Sequence, residues 1–196
     1  MSSPIKLNFK IIQGSTFSQV LRWESATKAY KPITAITQSA PVVITAANHN
    51  IPVGWRTRVT NVSGMKEINS NTDIYYTVTS ATQDTVTFNA VNSLGYSGYT
   101  SGGVLEYNEP VDLAGYTDRM QIRAKLEDSA IIKELTTENS GIVIDNTLKT
   151  ITVTISATDT AAFTFSTAVY SIELVKGVVV TPFANGSVSL TKEVTR

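Results

Sequence analysis

The chain contains no cysteine and a single histidine, His49. The first absence excludes disulfides, a thiolate nucleophile and cysteine-ligated zinc, and it suits a protein made in a reducing cytoplasm. The second leaves one residue for any histidine-dependent triad. His49 lies in the turn-like run Asn48-His49-Asn50-Ile51-Pro52, and no G-x-S-x-G nucleophile elbow occurs anywhere. It is therefore expected as a solvated turn residue. Net charge is missing too: 16 basic residues balance 16 acidic ones. A nucleic-acid binder carries a basic excess or stripe, so no nucleic-acid partner is expected. Apolar runs are short, of the order of Val178-Val179-Val180, far below the ~20 residues that cross a bilayer. The N-terminal run Met1 to Asn8 lacks the apolar region of a signal peptide. A soluble product with no membrane partner is the expectation.

Ser and Thr, by contrast, supply about a quarter of the chain, and Val and Ile are abundant. That bias favours strands joined by polar turns over helices. With 42% apolar residues in 196, there is material for one large β domain or two small ones. The organising stretch is residues 110–125. Pro110 and Gly115 bracket a tight turn, after which Met120, Ile122 and Ala124 alternate with Arg119, Gln121, Arg123 and Lys125, the period of a half-buried strand.

Before that stretch, residues 5–9 and 17–23 alternate as strands, and residues 24–31 read as a polar loop ending at Pro32. From residue 33 to about 107 the texture changes. Short β-rich segments at 33–37, 42–46, 55–62, 74–80, 85–89 and 104–107 are separated by polar turns and by a Gly/Ser/Tyr-rich run at 92–103. Five or six short strands in so few residues predict a small barrel or compact sandwich. After residue 125 the first texture returns, with strands expected at 131–136, 142–144, 148–155, 169–175, 178–183 and 186–190. Lys176-Gly177 is a hairpin signal, and one helical turn is expected at 156–163, capped by Ser156 or Thr158. The expected fold is all-β: an outer sandwich from residues 1–32 and 108–196, discontinuous in sequence, with a small β-barrel inserted at 33–107.

No set of residues adds up to a catalytic centre, so no catalytic, cofactor-binding or metal residue is assigned and no cofactor is expected. Asn69-Ser70-Asn71-Thr72-Asp73 places oxygen ligands at alternate positions like the start of a calcium loop, but Ile74 stands where that loop needs Gly and Ser80 where it needs Glu. Glu106 with Glu109, and Glu127 with Asp128, are the acidic pairs, with no sign of a cleft between them. Asp112, Arg119 and Arg123 read as turn and solvent-face residues. The candidate contact surface is aromatic: Tyr96, Tyr99 and Tyr107, in or beside the Gly/Ser-rich run, supply large area at low entropic cost for a protein or glycan contact. The competing expectation is that such tyrosines fill the core and rim of a small barrel.

Gln13-Gly14-Ser15-Thr16-Phe17, Leu21-Arg22-Trp23 and the run from Pro110 to Arg123 form a pattern, continued by the run from Ile155 to Phe163, by Tyr170 to Leu174 and by Gly186-Ser187-Val188. It resembles small virion structural proteins of tailed bacteriophages, in particular the immunoglobulin-like N-terminal domain of baseplate upper proteins. The inserted stretch, through Thr34-Ala35-Ile36-Thr37, Ala46-Ala47-Asn48-His49, the run Val59 to Met65, Tyr76-Thr77-Val78 and Gly95 to Gly103, is similar to a small β-barrel module common in phage proteins. That module is labelled by its likeness to the first catalytic cysteine half-domain of ubiquitin-activating enzymes. The label implies no ubiquitin chemistry in a chain without cysteine. Baseplate proteins of this kind continue into a C-terminal fibre or binding domain, whereas this sequence stops at Arg196, so no receptor-binding head is expected. The resemblance implies an immunoglobulin-like sandwich and a non-enzymatic role in the tail, baseplate, collar or capsid surface. The protein would be made in the host bacterial cytoplasm and located in the virion, with other virion proteins and copies of itself as partners. The alternative is an adhesin module that binds a host surface glycan through residues 92–107.

Overall fold

The computed structural model describes residues 4–193. Its β-branched, period-two segments form β1 (Ile5–Lys6), β2 (Phe9–Ile12), β3 (Phe17–Leu21), β4 (Glu24–Pro32), β5 (Ala35–Ile36), β6 (Val42–Thr45), β7 (Arg56–Ser63), β8 (Tyr76–Thr77) and β9 (Ser80–Ala81). There follow β10 (Thr85–Phe88), β11 (Ser101–Pro110), β12 (Thr117–Arg123), β13 (Lys133–Thr136), β14 (Ile142–Asp145), β15 (Thr150–Ile155), β16 (Thr167–Lys176) and β17 (Val179–Thr191). Among the described residues the helical content is α1 (Ala157–Ala161) and a 3-10 turn at Lys66–Ile68. The protein is all-β and sandwich-like, as the composition requires.

The chain divides into two compact units. One comprises Met1–Arg22, Asp112–Asn146 and Thr150–Arg196; the other Trp23–Val111 with Thr147–Lys149. In the first unit, a six-stranded sheet runs β1-β17-β16-β12-β13, with β2 also pairing β17, and a three-stranded sheet runs β14-β15-β3. Alternate residues turn inward on both. Met120 and Ile122 of β12, Ile172 and Leu174 of β16, and Ile151, Val153 and Ile155 of β15 are all buried. Phe9 of β2 stacks on Tyr170 of β16 with centroids 4.4 Å apart and tilts against Phe17 of β3 at 5.2 Å, so one ring ties the two sheets together. The Tyr170 hydroxyl closes this layer by donating to the Leu7 carbonyl at 2.6 Å.

The second unit holds two four-stranded sheets, β5-β6-β10-β9 and β4-β11-β7-β8, on one shared core. Ile44, Val86 and Phe88 of the first sheet and Val59, Leu105 and Tyr107 of the second belong to it, with Trp55. The expected closed small barrel is not formed among the described residues. Closure needs edge strands long enough to share a ladder, and three of the four sheet edges here, β5, β8 and β9, are two residues long.

Residues 24–32, expected as a loop, form the nine-residue strand β4, which pairs antiparallel with β11 from Pro32↔Val104 to Glu24↔Pro110. Polar composition hid it because most of its side chains face water. Residues 5–9 split into two short strands that both run parallel to β17, whereas the segments expected at 178–183 and 186–190 are one continuous strand with a bulge opposite Ile172 and Glu173. Lys176-Gly177 does close the β16–β17 hairpin, Gly177 taking φ +60, a value glycine adopts without strain.

Candidate functional site

The three tyrosines expected at a contact surface turn inward instead. Tyr107 is buried among the core residues of the second unit, and its hydroxyl donates to the His49 carbonyl. Burial pushes that phenol up to about 12. Tyr99 is part-buried and donates to the Ile33 and Gly102 carbonyls at 3.0 Å; Tyr96 is part-buried against the same core. The two tyrosine hydroxyls are committed to the backbone, and a contact surface built on Tyr107 is not available. The exposed tyrosines are Tyr30 and Tyr75.

His49 is likewise not a solvated turn residue. It is fully buried. Its Nδ1 accepts the Ile51 N–H at 2.9 Å, which leaves Nε2 to donate to the Thr85 carbonyl at 3.1 Å and fixes the neutral tautomer. Desolvation lowers its pKa in keeping. The imidazole is a strut between its own loop and the start of β10, with no lone pair left over for general-base work. Asn48 and Asn50 flank it at positive φ, 50° and 55°, a region that Asn tolerates better than most residues. In the Asn/Ser turn at 69–73 the first two side chains are committed to the fold: Asn69 brackets Val62 through both main-chain groups, and Ser70 Oγ accepts the Val59 N–H. Glu106 pairs with Lys28 and lies 3.6 Å from Arg58.

What the fold does bring together is a polar face on β13, β12 and β16. The register sets Arg119 beside Glu173 and Gln121 between Glu134 and Ser171. The Arg119 guanidinium meets Glu173 at 2.7 Å, Gln121 Nε2 donates to Glu134 at 2.7 Å, and Arg123 donates to Gln121 Oε1 at 2.8 Å. Arg119, Gln121, Glu134 and Glu173, with Ser171, line a shallow recess of about 320 Å³. Arg119 and Arg123 are thus solvent-face residues, as the alternation predicts. Their partners across the strands could not be read from one strand alone.

Two further features escaped the sequence reading. Asp118, on β12, is 2% exposed, and neither carboxylate oxygen has a hydrogen-bond partner among the described residues. Desolvation raises its pKa to about 7, against a smaller opposite pull from the Arg119 backbone amide, which closes no hydrogen bond to either oxygen. The signal was present: the alternation through Met120 and Ile122, carried one step back, puts Asp118 on the inner face. The second feature is apolar and exposed. At the end of the β16–β17 hairpin Val178, Val179 and Val180 are 99%, 60% and 45% exposed.

Fold and surface together define an all-β, sandwich-like protein whose polar face is internally paired and whose hairpin end is apolar. No protein-family model matches the chain, and no curated protein matches it.

Proposed function

We propose that this protein is a non-enzymatic structural component of a tailed-phage virion, held in a symmetric assembly by contacts with its own copies and with other virion proteins. The observation that carries the assembly reading is the run of three consecutive valines exposed at the end of the β16–β17 hairpin. Contiguous apolar side chains in water mark an interaction site, and a hairpin end is a place where a neighbour can reach them. Zero net charge supports the same reading, because copies brought together have no overall repulsion to overcome. The phage assignment is supported by the sequence pattern through Gln13–Phe17, Leu21–Trp23 and residues 110–123. Mass spectrometry of purified virions tests it: the chain is expected at a fixed stoichiometry to the other tail or head proteins. Its absence from intact particles would sink the proposal.

A further inference from the structure

Two of the exposed valines, Val179 and Val180, lie on a strand edge that is unpaired among the described residues, and that edge has a phase. β17 pairs with β16 from Val179 to Ser189. On its other side β1 begins at Ala184 and β2 at Val188, so among the described residues no strand pairs with Val179, Val180, Thr181 or Pro182 on that side. The hairpin fixes which groups point outward. A two-residue turn places Lys176 and Val179 opposite each other as a hydrogen-bonded pair, and pairs then alternate along an antiparallel ladder. Val180 is therefore in a non-hydrogen-bonded pair with Val175, and its N–H and C=O face the open edge. Two residues on, the Pro182 carbonyl faces the same way.

We infer that this edge is where a second copy of the chain docks, by antiparallel pairing of the Val178–Pro182 segment with itself about a two-fold axis through Val180. The inference deepens the assembly reading, on which it rests, by naming the surface and the partner. In this register the two Val180 residues exchange both hydrogen bonds, N–H to C=O in each direction across the axis. Proline at position 182 costs one donor per chain and ends the ladder, which keeps the pairing closed instead of fibre-forming. The side chains agree. A two-fold places each residue near its own counterpart, so a charge in the segment would face a like charge. From Gly177 to Asn185 there is none, and the nearest cation, Lys176, is turned over the Tyr116 ring at 4.9 Å. Val178, Val179, Val180 and Thr181 are all β-branched, the type that packs best on a pleated surface.

Analytical ultracentrifugation of the full chain up to about 1 mM covers the range of a weak dimer. A monomer–dimer equilibrium is expected. Val180→Pro, which removes the outward N–H without touching the β16 ladder, should raise the dissociation constant at least about tenfold. Val180→Lys keeps the N–H, adds like charge across the axis and should do the same. Val53→Lys, at an exposed position of the other unit, should leave the equilibrium unchanged. Circular dichroism melts confirm that each variant folds. The inference is overturned by a wild-type chain that stays monomeric, by Val180 variants that dimerise like wild type, or by a dimer that appears only once residues 1–3 are removed, since the edge would then be filled from the same chain. A dimer through Val180 in a protein missing from virions would overturn the virion assignment and keep the edge. Normal virion incorporation of a monomeric chain would do the reverse.

Discussion

Asp118 is the residue at which sequence economy and burial conflict. A carboxyl group without a hydrogen-bond partner among the described residues, 2% exposed on the inner face of β12, keeps its proton to about pH 7, whereas the unfolded chain releases it near pH 4. Folding therefore retains a proton between those values. Stability is greatest below about pH 4 for this group, falls as pH rises towards 7, and is flat beyond, the full loss being on the order of 4 kcal/mol. Asp118→Asn keeps the shape and cannot ionise. Urea denaturation at pH 5 and at pH 8 should show wild type losing stability at the higher pH relative to the variant. Equal pH dependence in the two would mean that Asp118 finds a partner or water in solution. His49 shows the opposite solution to burial. Both ring nitrogens are satisfied by main-chain groups, and a neutral ring in that position costs little.

At the scale of elements, the sequence was most legible where one face of a strand is buried and the other wet. β12 and β16 follow their alternation with buried positions two apart, and β15 does so from Ile151 onward. β4 was illegible because it has little apolar side to announce it: of its nine residues only Ala29 is buried, and its pairing with β11 is a long-range fact. The aromatic segment left two readings open, contact surface or core and rim, for a related reason. A tyrosine looks the same in sequence whether its ring is a platform or a plug, and Tyr99 and Tyr107 are tied to neighbours more than fifty residues away, at Ile33 and His49. The polar face of β12 was half legible, since alternation gave the side of the sheet but only register gave Glu173 and Glu134 as partners. The short helix was legible in place, and the structure chooses Ser156 over Thr158 as its cap. Ser156 caps α1, its Oγ accepting the Asp159 N–H at 3.1 Å, while Asp159 pairs with Lys133 at 2.7 Å. Ser156→Ala should cost about 1 kcal/mol, read as a small downward shift of the urea midpoint with an unchanged slope. A neutral result would show that the Lys133 pair and the turn's packing hold α1 without the cap.

For the whole molecule, the telling contact is a main-chain one: the Val111 N–H donates to the Trp23 carbonyl at 3.0 Å. The chain leaves the first unit after Arg22 and returns to it at Asp112, and this bond holds the two crossing points side by side. A segment whose ends meet can be exchanged for a short loop at little entropic cost, because closure entropy grows only slowly with loop length and the ends need not be moved. Sheet pairing is compatible with such an excision. Every strand that β3, β12, β14, β15, β16 and β17 pair with lies in the first unit, and β4 to β11 pair only with one another. Replacing residues 24–110 by a three- or four-residue glycine-serine link should therefore leave a folded protein. Dispersed amide signals in a proton–nitrogen NMR spectrum and a cooperative thermal transition are the expected readout. The link has to begin after Trp23 and end before Val111. A cut at 33 and 107 instead would leave β4 with only residues 108–110 of β11, its ladder partner, and expose the rest of its edge to aggregation. The comparison of the two deletions separates the alternatives: a soluble shorter chain beside an insoluble or aggregated longer one places the boundary outside β4. Loss of folding in both would mean that the sandwich of β12, β15 and β16 depends on the inserted unit for its stability.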